Sequence, residues 1–195
     1  MLSNSDYESE KLDPRVKRTR QMLDQAFMEL LAEKGFDAIS VQDVTARAGL
    51  NRATFYAHFQ DKFALLDYSI RESFREEIKK RLLQSCHFSM ENLRHLIVAV
   101  CEFTHNLSSH CAPAQRQFEP LVENQIKGQL YEIMLMWLKQ SEHANSPETS
   151  ATAASWAIYG LAMQWNREKK NQSAESFADE VLPLVAANLQ LAQSV

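Results

Sequence analysis

Apolar residues recur along this chain at spacings of three and four from Val16 almost to the C-terminus, the period of helices that bury one face. Val16, Leu23, Ala26, Phe27, Leu30 and Leu31 predict a first helix from Asp13 to about Lys34. Asp13 is its cap, Pro14 its first residue and Gly35 its stop. Ser40 opens a second, short helix and with Asp43 makes a capping-box pattern; Val41, Val44 and Ala48 share its apolar face, and Gly49 ends it. Asn51 caps a third, whose apolar face is Phe55 and Phe59. Asp61 caps a fourth that continues to about Leu83 through Phe63, Leu65, Leu66, Ile70, Phe74, Ile78 and Leu82.

The remaining sequence reads the same way. A fifth helix covers about residues 90–108, followed by a loop at SSHCAP. Residues 114–140 are helical, with Gly128 as a candidate point of division. Pro147 starts a helix crowded with small residues, TSATAASWAIYGLAMQW, and a last helix runs from about Ala174 to Gln193 with a kink expected at Pro183. About nine helices and no credible strand predict an all-α protein. The scarcity of Gly (4) and Pro (5) agrees with that. Residues 1–12 are polar, lack an apolar period and are expected to be disordered.

Charge changes the picture once it is divided. The net charge of −4 is unpromising for a nucleic-acid binder, yet residues 11–81 carry 14 Lys/Arg against 11 Asp/Glu while residues 82–195 carry 7 against 11. The positive surplus therefore accompanies the short helices near the N-terminus, where a local basic surface suffices for DNA. No apolar run approaches the ~20 residues that span a bilayer, and the first residues lack a secretory signal pattern. Three scattered cysteines, Cys86, Cys101 and Cys111, make no disulfide framework. A cytoplasmic protein without membrane contact is expected.

The face of the third helix away from Phe55 and Phe59 carries Arg52, Thr54, Tyr56 and His58, a set suited to phosphate oxygens and base edges. The second and third helices thus read as a helix-turn-helix. The stretch TFYAHFQDKFALL resembles the T-(L/F)-Y-x-H-F-x-x-K-x-x-L-L signature of TetR-type transcriptional regulators, and AEKGFDAISVQDVTARAGL resembles the segment that precedes it in that family. The resemblance runs from about Val16 to Leu66 and departs at Thr45, Asn51, Ala53 and Phe63. It implies an N-terminal three-helix DNA-binding domain at 13–60 and a C-terminal helical effector-binding and dimerisation domain at 61–195. It also implies Thr54, Tyr56, His58 and Lys62 as phosphate and sugar contacts, with the helix start at Asn51 adding backbone N–H groups. Arg52 and Ala53 lie where family members contact DNA. Arg52 is the leading base contact and Gln42 the second. Some of Arg15, Lys17, Arg18 and Arg20 are expected to reach the flanking backbone.

The fourth helix would link the two parts and set the spacing of two reading heads on a palindromic operator. Ala153, Trp156, Ala157, Gly160, Leu161, Leu182, Val185 and Leu189 are the expected surface of a homodimer, since small residues permit close helix approach and Trp156 adds an anchor. An unknown small-molecule effector would lie among Phe103, Thr104, Leu107, Phe118, Tyr131, Met134 and Trp137, with Met136, His105 and Gln125 nearby; each of these residues also reads as plain core. No cofactor is expected. Nothing resembles an enzyme, for there is no glycine-rich phosphate loop and no G-x-S-x-G. The alternative is a metal- or redox-responsive regulator using Cys86–His87, Cys101–His105 and His110–Cys111, although no C-x-x-C or H-x-x-x-H pair is present.

Overall fold

The computed structural model describes residues 13–81, 87–110, 118–140, 146–168 and 172–189. Regular structure among them is helical: α1 Pro14–Lys34, α2 Val41–Ala48, α3 Arg52–His58, α4 Lys62–Arg81, α5 Met90–His110, α6 Glu119–Lys139, α7 Pro147–Glu168 and α8 Ala174–Asn188. The chain divides into two compact units, residues 1–69 and 70–195, so the division falls inside α4 rather than at its start. The first turns of α4 belong to the first unit for a physical reason. Leu65 and Leu66 are buried, Tyr68 packs on Phe59 with ring centroids 5.3 Å apart, and the Ser69 hydroxyl donates to the Asp24 carboxylate of α1.

Local chemistry sets the helix ends of the first unit. The Asp13 carboxylate accepts from the Arg15 N–H at 2.9 Å. Ser40 and Asp43 close their capping box reciprocally: Asp43 N–H donates to Ser40 Oγ at 3.2 Å, and Ser40 N–H donates to Asp43 Oδ2 at 2.8 Å. Asn51 Oδ1 accepts from the Thr54 N–H at 2.7 Å. Gly35 and Gly49 take φ values of 72° and 67° as they terminate α1 and α2, a backbone region that favours glycine. Leu23, Phe27, Val44, Phe55 and Leu65 are fully enclosed. Arg47 of α2 binds Glu33 of α1 through two bonds of 2.8 Å, and Lys34 pairs with Asp43 at 3.1 Å.

The second unit is built around one apolar core. Phe74, Leu93, Leu96, Ile97, Ile126, Leu130, Met134 and Trp137 are enclosed there along with small residues of α7 and the inner stripe of α8. α6 packs against α7, and α5 against α7 and α8. A few polar ties cross it: Arg94 pairs with Asp179, Arg81 with Glu102, and Asn166 Nδ2 donates to Thr104 Oγ1 at 2.7 Å.

Eight helices stand among the described residues where about nine were expected, because Gly128 does not divide α6. A single interior glycine costs about 1 kcal/mol relative to Ala, and a helix buried at Ile126, Leu130, Met134, Trp137 and Leu138 outweighs it. α5 also extends through Ser108–His110, part of the expected loop. α8 ends at Asn188 and continues through Pro183, which lies on its exposed side. The expected disorder of residues 1–12, the cysteines Cys86 and Cys111, and residues 190–193 lie outside the described residues.

Candidate nucleic-acid interface

α3 is presented by its own polar ends and by a buried aromatic spine. Phe55 is enclosed and Phe59 nearly so, their rings 5.9 Å apart; this turns the opposite face outward. On that face Arg52, Ala53 and Tyr56 are exposed, Tyr56 by half of its surface. The Arg52 guanidinium lies 6.0 Å from the Tyr56 ring centroid, with a terminal nitrogen 3.5 Å from the phenol oxygen. Gln42 is exposed on α2. Thr54 and His58 are half-buried along the flank, one turn apart. The Thr54 hydroxyl donates to Asn51 Oδ1 at 3.0 Å, so it donates to a phosphate oxygen only after rotating away from that cap. Asn51 itself acts as the expected cap.

Lys62 is placed differently from the sequence-based assignment. Its ammonium donates to the backbone carbonyls of Phe36 at 3.1 Å and Ile39 at 3.0 Å, and it sits 4.4 Å from the Phe36 ring centroid. Two carbonyls in the connection between α1 and α2 are satisfied by this cation, which pins that connection to the start of α4. The Lys62 ammonium, expected among the phosphate contacts, is engaged within the first unit in this structure.

Of the α1 cations, Arg20 has the most particular setting. Its guanidinium lies 5.8 Å from the ring centroids of both Phe59 and Tyr68, and its Nε is buried without a hydrogen-bond partner. Burial, and then the Arg20 charge, pull the His58 imidazole below its ordinary pKa. The sequence offered no means of choosing Arg20 among four nearby cations, because Phe59 and Tyr68 come to it from other helices.

In the second unit Phe103, Leu107, Tyr131, Met134 and Trp137 of the expected effector pocket are brought together as packed core, a cluster that does not include Phe118. Met134 and Trp137 are enclosed, Phe103 stacks near Phe74 at 5.0 Å, and Trp137 meets Phe88 at 6.0 Å. Leu107, Phe118 and Tyr131 are half-buried. Thr104 is buried, donates to the Val100 carbonyl and accepts from Asn166; His105 Nδ1 lies 3.1 Å from Asn166 Oδ1. Two concavities lie elsewhere. An open one of about 500 Å³ is lined by Glu148, Thr149, Thr152, Ala153 and Trp156, and a cleft of about 50 Å³ lies beside Trp165 and Phe177.

The expected dimer residues divide into two sets. Ala153, Trp156 and Gly160 are exposed on α7, Trp156 by 61%. Ala157, Leu161 and Leu182 are half-buried. Val185 and Leu189 are enclosed in their own subunit and are not available to a partner. The strongest apolar stripe of α8 serves its own core, and Leu184, 62% exposed, is its outward apolar residue. Cys101 is buried, and its thiol is pushed up to about 12 by burial and then by Glu102. Among the described residues no three His, Cys, Asp or Glu side chains group as metal ligands, and no helix is long and apolar enough to cross a membrane.

An all-helical chain whose N-terminal unit is a capped helix-turn-helix with an outward polar second helix defines the class of helix-turn-helix proteins. Residues 23–68 match the family described as bacterial regulatory proteins, tetR family. An uncharacterized HTH-type transcriptional regulator of Bacillus subtilis, YxbF, is 44% identical over 73 residues, 36% of this chain and 19% of that protein. This chain covers well under two thirds of the curated relatives it matches. Among solved structures, the TetR family repressor AlkX of Dietzia sp., implicated in biodegradation of n-alkanes, aligns with a TM-score of 0.57 at 19% identity, covering 88% of this chain and 98% of that one. The transcriptional regulator FadR of Bacillus subtilis, solved with stearoyl-CoA, aligns with a TM-score of 0.50 at 15% identity over 86% of this chain and 98% of its own. Residues 23–68 carry the sequence pattern of that family, and the chain shares its fold with these solved structures.

Proposed function

We propose that this protein is a dimeric transcriptional repressor that leaves a palindromic operator when a small molecule binds its second unit. The observation that carries the reading is the outward face of α3, where Arg52, Ala53 and Tyr56 are exposed on a helix fixed by the Asn51 cap and the buried Phe55. Arg52 reads a base edge, with Gln42 beside it, while Thr54, Tyr56 and His58 meet the sugar–phosphate backbone. Ala153, Trp156 and Gly160 of α7, joined by Leu184 of α8, meet the same surface of a second copy and set two recognition helices about 34 Å apart. AlkX is named a repressor and FadR was solved with an acyl-CoA; these support the repressing sense and an effector among α5, α6 and α7. That effector enters by displacing packed side chains around Phe103, Tyr131 and Trp137. Its binding favours a setting of α4 that DNA does not, a shift of population.

Selection of bound sequences from random duplex DNA tests the reading. A palindrome with half-sites about one helical turn apart is the expected result. No enrichment by the dimer, with or without cell extract, would remove it.

A further inference from the structure

α7 keeps one side for its own subunit and leaves the other exposed. Ala151, Ala154, Ser155, Ile158 and Ala162 are buried. Thr149, Ala153, Trp156, Gly160, Gln164 and Arg167 are exposed at spacings of three and four, so they share one face of the helix. An acid, Glu148, stands at the start of that face and a base, Arg167, near its end. In the second unit Arg71, Arg75, Arg81 and Arg94 each have a carboxylate within ion-pair distance. Arg167 has none among the described residues; its Nε donates to the Met163 carbonyl of its own helix at 3.3 Å. Glu148 pairs with no cation among them either, and Glu168, next to Arg167, accepts from the Gln164 amide at 2.7 Å.

The middle of the face permits close approach. An added Cβ at Gly160 would meet no atom within 4 Å, so the backbone is bare there and a second helix can come near. Trp156 is tied to α6: the Lys127 ammonium lies 3.7 Å from its ring centroid and is itself held by Glu123 at 2.7 Å. Beside the ring lies the open concavity of about 500 Å³ that Glu148, Thr149, Thr152 and Ala153 complete.

A face with unlike charges at its two ends complements itself in one sense only. Two parallel copies would set Glu148 beside Glu148 and Arg167 beside Arg167, whereas two antiparallel copies bring unlike charges together twice. Ala153 and Arg167 each stand seven residues from Gly160. With Gly160 at the crossing, the Arg167 of a second copy therefore arrives over Ala153, at the concavity that Glu148 lines. A contact of this kind uses the same patch on both subunits and closes on a two-fold axis. We propose that α7 crosses the α7 of a second copy antiparallel at Gly160, each Arg167 entering the other chain's concavity beside Trp156 and pairing with Glu148. The proposal rests on the dimer reading above and assigns that dimer its axis and its charge pairs.

A cysteine on a two-fold axis meets its own symmetry mate, so the first test is full-length Gly160→Cys, oxidised and run without reductant. The two Cα atoms must come within roughly 7 Å for the bond to form. A covalent dimer well beyond that of the wild type, which carries Cys86, Cys101 and Cys111, is the expected result. Ala153→Cys lies about 10 Å along the helix from the axis and is expected to add nothing to the wild-type level. In parallel, the dimer dissociation constant is measured by sedimentation for the wild type, Glu148→Lys, Arg167→Glu and the double variant. Each single reversal is expected to weaken the dimer roughly tenfold, and the double variant to return to within about twofold of the wild type. That restoration needs no added cysteine and stands where Gly160→Cys folds poorly. A folded Gly160→Cys dimer that does not cross-link, a cross-link through Ala153→Cys instead, or a double variant as weak as its singles overturns the crossing and leaves the dimer reading intact. A protein that stays monomeric at every concentration overturns both.

Discussion

The two units are held together by different kinds of interaction. In the first, polar geometry at named positions fixes short helices: the Ser40–Asp43 capping box, the Asn51 cap, the two bonds from Arg47 to Glu33 and the Lys62 ammonium on two carbonyls. In the second, five long helices bury one large apolar core with few polar ties across it. Directional contacts specify an angle between helices and so can present a recognition face. An apolar core accepts exchanges of similar volume and fixes no such face. The sequence matches follow this division, for the family pattern stops at residue 68 while the fold likeness runs on through the chain.

The sharpest way to break the comparison is to cut into the second core. Trp137→Ala removes a large enclosed side chain and should cost about 3–5 kcal/mol, seen as a much lower thermal midpoint by circular dichroism. A variant of nearly wild-type stability would mean that α6 is already loosely packed and that a cavity is available without displacing anything. Trp156→Glu should act on assembly alone. Its ring is mostly exposed and rests on Lys127 at 3.7 Å, so the monomer should fold normally while light scattering reports the mass of one chain. A dimer that survives would place the interface on another face.

Lys62→Met asks whether the first unit depends on its directional contacts. The substitution removes the ammonium from the Ile39 carbonyl and from the Phe36 carbonyl, which keeps the Ile39 N–H, and should cost about 1–3 kcal/mol of stability. Because the ammonium is engaged internally, the dependence of DNA affinity on salt should keep its wild-type slope; a slope reduced by about one would return Lys62 to the phosphate contacts.

Lys62 also shows where reading from sequence stops. The caps at Asp13, Ser40 and Asn51 and the glycine stops at Gly35 and Gly49 were legible because each depends on residues within a few positions. The bonds from Lys62 span 26 and 23 residues, and the setting of Arg20 needs Phe59 and Tyr68, so neither leaves a local trace. Periodicity found the apolar stripe of α8 but not its destination, and Val185 and Leu189 were assigned to a partner though they face their own core. Gly128 looked like a break because propensity is a local measure, whereas burial along α6 decides the matter.

The smallest expected effect lies in the capping box. Asp43 is held down to about 2 from 3.8, first by the Ser40 hydroxyl, then by the Ser40 N–H and by Lys34. A carboxyl with a lowered folded pKa binds its proton more readily in the unfolded chain, so its contribution is complete above pH 3.8 and is lost as pH falls through about 2. Ser40→Ala removes the largest of these causes. The side-chain carboxyl of Asp43 should then titrate closer to 3.8 by NMR, still lowered by Lys34 at 3.1 Å, and the loss of the cap should cost about 0.5–2 kcal/mol near neutral pH. The two readouts need not move together, and that is their use. A shifted titration with unchanged stability would mean that Lys34 and Arg47 hold α2 on α1 without the cap. An Asp43 that titrates ordinarily in the wild type would mean that the box is open in solution, and the first unit would then rest on its apolar core as the second does.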